Sequence, residues 1–252
     1  MRLRRSVILL GAFACVWLSA CARPATRPVP SVGTAVALSG GPNTSMIYLA
    51  RVPGGVIAID LGWWGADRSM RRALREPRAT PSDVADVFIT HSHRDHVGAW
   101  RLVRGSRFHL ALAERATFTG QRPHRGWIPR GAERVKRSPL PRPGEVDVRT
   151  FSRDTAFVLG ADTLYAFPVL GHTAGSAAYL FRGTLFLGDA VTYTRWGGFA
   201  PARRGHSDDS RAAARNLDAL WERLPLHNVR YVCTAHAKCS ALTPEFRADV
   251  RR

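Results

Sequence analysis

Short apolar segments bounded by Gly, Pro and Asp alternate with amphipathic segments from Val32 to the end of the chain. The short segments are typical of strands. They predict strands at residues 32–38, 46–51, 56–60, 84–90, 107–110, 146–151, 156–159, 163–169, 177–181, 184–187 and 229–234. The spacing of Leu217, Leu220, Trp221 and Leu224 predicts a helix that begins near Ser207 and ends before Pro225. Further helices are predicted at residues 66–75, 96–103, 111–117 and 244–250, so the chain is of the α/β class.

Residues 120–144 show neither period and are rich in arginine, so they are predicted to be a loop. Such a loop is either a flap that favours anionic substrates or a surface insertion, and the insertion is the simpler interpretation.

The first residues have the pattern of an export signal. A basic start is followed by an apolar run over residues 7–20 that is short for a membrane span, and Leu18-Ser19-Ala20-Cys21 resembles the bacterial lipobox. The prediction is a signal peptide over residues 1–20, a lipidated Cys21 and a Pro-rich tether over residues 21–31, with an ordinary signal peptide as the alternative. The mature protein is therefore expected to be exported, periplasmic or at the cell surface, and anchored to a membrane through lipid.

The chain is strongly basic, with 37 Lys and Arg against 19 Asp and Glu and a net charge of +18. This charge is compatible with nucleic acid or anionic lipid as a partner, but a solvated basic surface is the simpler interpretation. No compact module of aromatic and basic residues is present, so no specific nucleic-acid partner is expected.

One hexapeptide, His91-Ser92-His93-Arg94-Asp95-His96, directly follows a predicted strand. Zinc binds imidazole nitrogen and carboxylate oxygen, and four such side chains fall within this hexapeptide. Three more side chains of these types, His172, Asp189 and His236, each follow a later predicted strand.

This set of residues resembles the metallo-β-lactamase fold superfamily from about residue 32 to the C-terminus, and Asp60 and Gly62 match the first motif of that family. The resemblance implies a four-layer αββα sandwich over residues 32–252 with two metal ions at the edges of its sheets. The ions are expected to be zinc, with iron or manganese also compatible. By the same resemblance, one ion is bound by His91, His93 and His172, the other by Asp95, His96 and His236, with Asp189 between both, Asp60 supporting a ligand and Asp95 also relaying a proton.

The resemblance implies hydrolysis of a small-molecule ester, lactone or thioester by a metal-bridging hydroxide. Asp189 resembles the glyoxalase II, lactonase and phosphodiesterase branches, since secreted metallo-β-lactamases usually carry Cys or Ser at this position. The alternatives are a metallo-β-lactamase, a phosphodiesterase, and a non-catalytic metal-binding protein anchored at the surface.

Several other side chains have open interpretations. Trp63, Trp64, Tyr193 and Trp196 form a candidate substrate wall, and the first two are equally compatible with a lid over the core. Cys233 and Cys239 allow a disulfide, a zinc site or two buried inert thiols, of which the thiols are the simplest interpretation. Structural roles are expected for the histidines outside the motifs, which are His109, His124, His206 and His227.

Overall fold

A computed structural model of the chain describes residues 26–29, 34–38, 45–63, 65–135, 140–193, 198–237 and 239–250. The strands are β1 (Thr26–Val29), β2 (Thr34–Leu38), β3 (Met46–Val52), β4 (Gly55–Ile59), β5 (Val84–Phe88), β6 (Arg107–Ala111), β7 (Asp147–Phe151), β8 (Thr155–Leu159), β9 (Asp162–Pro168), β10 (Ala177–Phe181), β11 (Thr184–Gly188), β12 (Val191–Tyr193), β13 (Phe199–Pro201), β14 (Tyr231–Thr234) and β15 (Ser240–Ala241). The α-helices are α1 (Asp67–Leu74), α2 (Arg115–Phe118), α3 (Trp127–Val135), α4 (Ser210–Arg223) and α5 (Pro244–Asp249). Short 3-10 helices lie at Pro81–Asp83, Trp100–Val103, Leu112–Glu114, Arg204–His206 and Leu226–Asn228.

Within the described residues, the strands form two large sheets and one small hairpin. The first sheet has seven strands in the order β1-β2-β3-β4-β5-β6-β7, and β4 to β7 run parallel to one another. The second sheet has six strands in the order β15-β14-β11-β10-β9-β8, and only the pair of β11 and β14 is parallel. Strands β12 and β13 form the hairpin. Parallel neighbours end at the same edge of a sheet, and loops from several strands therefore meet there.

The buried side chains of the described residues fall into three cores, because neighbouring residues of a strand face opposite sides of a sheet. Ile47 of β3 packs with Met70 of α1 in the outer core of the first sheet. The next residue, Tyr48, packs against Phe186 of β11 in the core between the two sheets. Leu185 packs with Trp221 of α4 in the outer core of the second sheet. The layers are thus helix, sheet, sheet and helix, which confirms the αββα sandwich.

The predicted strands from residue 46 onward are confirmed, with small shifts of their ends. The loop predicted over residues 120–144 is wrong in part, because it contains α3. Pro129 and Gly131 disfavour the prediction of a helix from the sequence, although proline is tolerated in a first helical turn. The hairpin of β12 and β13 was not predicted.

The signal peptide and Cys21 lie outside the described residues. Strand β1 falls within the segment predicted to be a tether, and it pairs with β2. Within the described part of the chain, no helix has the length and apolar character needed to cross a membrane.

Candidate metal centre

The seven predicted ligand residues lie together at one edge of the two sheets. The hexapeptide follows β5, His172 follows β9, Asp189 directly follows β11 and His236 follows β14. Their ligand atoms form two groups, each with all atoms within 4.8 Å of one another. The first group is His91, His93, His172 and Asp189, and the second is Asp95, His96 and His236.

Three imidazoles converge in the first group. The Nε2 of His172 lies 3.2 Å from the Nε2 of His91 and 3.1 Å from the Nδ1 of His93. The remaining edge of this triangle, from His91 Nε2 to His93 Nδ1, is 3.0 Å. Nitrogens at about 2.0 to 2.1 Å from a tetrahedral ion lie about 3.4 Å apart, so the three atoms are spaced close to one face of such a site.

Asp189 lies between the two groups. Its Oδ2 is 3.6 Å from the Nε2 of His172 and 3.9 Å from the Nε2 of His91. Its Oδ1 is 3.2 Å from the Nε2 of His236 and 3.7 Å from the Nε2 of His96. The Nε2 of His236 also lies 3.3 Å from Oδ2, so the carboxylate of Asp189 contacts histidines of both groups.

Asp95 completes the second group, since its Oδ2 lies 3.3 Å from the Nε2 of His236 and 3.7 Å from the Nε2 of His96. The hydroxyl of Ser45 donates a hydrogen bond to the main-chain carbonyl of Asp95 and fixes the backbone of the hexapeptide at this point. The His236 side chain is one-third exposed, at 33%, whereas His96 is fully buried. Within the second group, His236 therefore lies on the solvent side.

Asp60 holds the hexapeptide in place through hydrogen bonds to Thr90, which directly precedes it, and to His96, its last residue. It is buried, and its Oδ2 accepts hydrogen bonds from the Nδ1 of His96 at 2.8 Å and the hydroxyl of Thr90 at 2.7 Å. Its Oδ1 accepts from the main-chain N–H of Thr90 at 2.8 Å. Gly188 packs against Thr90, and a Cβ at this glycine would lie 2.6 Å from the threonine hydroxyl. The glycine thus allows β11 to deliver Asp189 close to the hexapeptide.

The protonation states of the first group suit metal binding, which requires neutral imidazole. Burial, reinforced by the surrounding imidazoles, holds the pKa of His91 and the pKa of His93 well below the usual range. Burial also lowers the pKa of His172, to about 4. The first group therefore has three neutral imidazoles at pH 7.

The second group and the neighbouring Asp189 contain side chains of opposite charge. Burial alone would lower the pKa of His96, but Asp60, Asp95 and Asp189 outweigh it and raise the pKa to about 9. Burial would raise the pKa of Asp189, but His236 and His96 hold it well below the usual range. Burial raises the pKa of Asp95. The position between the two groups is therefore occupied by an ionised carboxylate, which suits a cation.

The sequence profile of the metallo-beta-lactamase superfamily matches residues 40–236, which include all seven residues. The chain belongs to the metallo-beta-lactamase superfamily. Membership in this superfamily indicates a metal-dependent hydrolase, and the clustered histidines and carboxylates agree with it. No curated protein matches the sequence.

Solved structures share the metallo-beta-lactamase fold with this chain. A metallo-beta-lactamase from Pontibacter korlensis has a TM-score of 0.63 at 19% identity, over 87% of this chain and 94% of that one. A metallo-beta-lactamase family protein from Thermus thermophilus has a TM-score of 0.61 at 20% identity, over 89% and 75% of the two chains. A protein named TTHA1623, in a di-iron-bound form, has a TM-score of 0.58 at 19% identity, over 86% and 93%.

The candidate substrate wall is described only in part. Trp64, Trp196 and the side chain of Tyr193 lie outside the described residues. Trp63 is half-buried, and the guanidinium carbon of Arg94 lies 5.8 Å from the centre of its ring. Trp63 is therefore adjacent to the hexapeptide, and its contact with substrate remains a prediction.

Cys233 and Cys239 form a disulfide, so the interpretation as two inert thiols is wrong. The antiparallel pairing of β14 with β15 places Val232 opposite Ser240, and the next pair along the hairpin is the two cysteines. The disulfide closes a loop with a sequence separation of six, and His236 lies within it. One predicted ligand is therefore on a cross-linked loop.

Two residues near the site were missed by sequence reasoning. His124 is buried, and its ring centre lies 4.5 Å from that of His93. Its loop is held by Asp208, whose Oδ1 accepts the main-chain N–H groups of Arg125 and Gly126. Glu114 is fully buried beside the hexapeptide. Neither residue lies in a motif, and their partners are distant in sequence, so no local pattern reveals them.

Proposed function

We propose that the chain is a dinuclear zinc hydrolase that cleaves an ester, a lactone or a thioester. The observation that supports this proposal is the position of Asp189 between two groups of histidines, with Oδ2 3.6 Å from His172 and Oδ1 3.2 Å from His236. A site for a single structural ion needs about four closed ligands, and this arrangement has seven candidate ligand residues. Two ions that share a carboxylate account for the larger number.

The residues fit divalent metal. The Nε2 of His96 and the Oδ1 of Asp189 are buried and form no hydrogen bond among the described residues, although Oδ1 lies 3.2 Å from the Nε2 of His236 as an ion pair. Buried polar atoms without a hydrogen bond are costly unless another group satisfies them. A cation placed between the two groups would satisfy both atoms. Imidazole and carboxylate ligands suit zinc, and they suit iron and manganese as well.

Two bound ions would supply Lewis acidity and lower the pKa of water from about 15.7 towards about 7. The protein contributes the surrounding groups. The Oδ2 of Asp95 faces His236 and His96, which leaves its Oδ1 to accept the proton of the attacking water and pass it to the leaving group. The Asp95 side chain is 13% exposed, so solvent reaches part of this proton acceptor.

The choice of substrate class follows from Asp189. By resemblance, secreted metallo-β-lactamases usually carry Cys or Ser at this position, whereas the glyoxalase II and lactonase branches carry Asp. The same carboxylate is found in phosphodiesterases, so a phosphodiester is the second class to test. We therefore expect turnover of acyl substrates and little turnover of β-lactams.

We also propose that the protein is exported and held at a membrane by acyl chains on Cys21, since the lipobox-like sequence precedes a Pro-rich segment. This location would place the site outside the cytoplasm, where the disulfide of Cys233 and Cys239 is stable. Each buried methylene of an acyl chain contributes about 0.8 kcal/mol to the anchoring.

A substrate panel tests the proposed activity. Zinc-loaded protein is assayed against aryl esters, acyl lactones, thioesters, a phosphodiester and a chromogenic cephalosporin, with His91→Ala as the inactive control. Turnover of an ester, lactone or thioester that is lost in the control is expected. Hydrolysis confined to the cephalosporin or to the phosphodiester would replace the proposal by the corresponding alternative, and metal binding without any turnover would favour a non-catalytic metal-binding protein.

A further inference from the structure

Glu114 is a buried carboxylate that the proposed mechanism does not use. It ends the 3-10 helix Leu112–Glu114 directly after β6, and its side chain is fully buried. Burial of an ionised carboxylate is costly unless hydrogen bonds stabilise it. Its hydrogen-bond partners among the described residues are neutral N–H and O–H groups, and they belong to two separate loops.

The first loop is the hexapeptide. The Oε1 of Glu114 accepts the main-chain N–H of Ser92 at 2.7 Å and the Ser92 hydroxyl at 2.5 Å. Ser92 stands between His91 and His93 in the sequence, so this carboxylate oxygen holds the backbone that carries both imidazoles.

The second loop carries His172. The Oε2 of Glu114 accepts the hydroxyl of Thr173 at 2.7 Å and the main-chain N–H of Gly175 at 2.9 Å. The Thr173 hydroxyl is also 2.8 Å from the hydroxyl of Ser176, whose oxygen accepts the main-chain N–H of Thr173 at 2.8 Å. The backbone next to His172 is therefore fixed on the same carboxylate.

The packing at Gly175 shows how closely the two parts approach. A Cβ at this glycine would lie 2.2 Å from the backbone nitrogen of Glu114. Backbone atoms cannot yield as a flexible side chain does, so only glycine allows this loop to reach Glu114. The main chain of Gly175 thus packs directly against the main chain of Glu114.

The side chain of Glu114 thereby links the hexapeptide to the loop that carries His172. The partners of Glu114 lie 22, 59 and 61 residues away in sequence. The distances of 3.0 to 3.2 Å among His91, His93 and His172 depend on the relative placement of the two loops that Glu114 connects. Metal affinity is sensitive to groups that orient ligands without touching the metal.

We propose that Glu114 is a positioning residue that sets the spacing of His91, His93 and His172 for the first metal ion. This proposal rests on the proposed metal site and adds to it a residue outside the ligand set. Glu114 reaches the ligands only through Ser92 and Thr173, so it is not a catalytic residue. Loss of Glu114 should selectively weaken binding of the first metal ion, because none of the hydrogen bonds of Glu114 runs to Asp95, His96 or His236.

The test measures zinc affinity by competition with a chromogenic chelator, which resolves the two binding steps. Glu114→Gln keeps the size of the side chain but replaces one acceptor by an NH2 group, which must face donors of Ser92 or of Thr173 and Gly175. We expect the step that involves the three histidines to weaken about 10- to 100-fold while the other step changes little. The absorption of the cobalt-substituted protein should change for the same site.

Two milder variants cover the case in which Glu114→Gln does not fold. Thr173→Val and Ser92→Ala each remove one of the hydroxyl donors, and each should weaken the same step by a smaller factor. Asp86→Asn is the matched control, because it also neutralises a buried acid, one whose partners are Arg107 and His109. The control is expected to lower thermal stability and to leave both zinc affinities unchanged.

The outcomes separate the two proposals. Wild-type protein that binds two zinc ions, together with Glu114, Thr173 and Ser92 variants of unchanged affinity, would overturn the positioning role alone, even if the variants melt earlier. Wild-type protein that binds no zinc would overturn the proposed metal site and the positioning role with it. Selective weakening of the three-histidine step in the variants would support both.

Discussion

The Oδ2 of Asp60 lies 2.8 Å from the Nδ1 of His96, although the two residues are 36 positions apart. Both side chains are buried, so water does not compete for this hydrogen bond. The carboxylate fixes the tautomer of His96 and points its Nε2 towards Asp95 and Asp189. Asp60 is thus the partner that orients one histidine of the second group.

Asp60→Asn should weaken metal binding at the second group about 10- to 100-fold. Asparagine has the same shape and tolerates the positive φ of 56° at this position, so the fold should persist. The measurement is zinc competition with a chelator, and the matched control is Asp67→Asn on the exposed side of α1. Equal affinities for wild type, variant and control would show that Asp60 does not orient His96.

Removal of the disulfide should loosen the loop that carries His236. The double variant Cys233→Ala, Cys239→Ala is expected to lose about 2 kcal/mol of unfolding free energy, the chain-entropy value for so short a loop. The second group should lose zinc affinity as well, because His236 lies within the loop that the disulfide closes. Wild type under reducing conditions should behave like the variant. Unchanged zinc affinity in both would limit the disulfide to a role in stability.

Acid should remove the stabilisation provided by Asp86. Burial raises the pKa of this carboxyl, but hydrogen bonds from His109 and Arg107 outweigh it and lower the pKa from 3.8 to about 2. The ionised carboxylate therefore stabilises the folded chain above about pH 4, and this contribution, about 1 to 2 kcal/mol, disappears as the pH falls towards 2. Urea unfolding of metal-free wild type and Asp86→Asn should show a gap in stability that narrows between pH 4 and pH 2. A constant gap would contradict this account.

Cys21→Ser should release the protein from membranes. The serine cannot be acylated, so the variant is expected in the soluble fraction of fractionated cells, whereas wild type sediments with membranes. Cys15→Ser, within the apolar run, is the matched control and should behave as wild type. A Cys21→Ser protein that still sediments would contradict lipid anchoring.

The sequence predicts the site better than its surroundings. The resemblance to the metallo-β-lactamase motifs implied that the ligand-type residues meet at the edges of the sheets, and the structure places His91, His172 and His236 together there. The disulfide was not predicted, since it depends on the pairing of β14 with the two-residue strand β15. Glu114 was missed because its partners come from two distant loops, and nothing near it in the sequence indicates them.

Metal analysis of Asp189→Ala tests the central claim most directly. The purified wild type and the variant are saturated with zinc, freed of excess metal, and analysed for zinc per chain and for turnover of the best acyl substrate. If Asp189 joins two ions, wild type should hold two equivalents, and the variant should hold about one and lose at least about 100-fold in turnover, roughly 2.7 kcal/mol. A wild type with a single equivalent, or an Asp189→Ala protein with two equivalents and full turnover, would contradict the shared carboxylate.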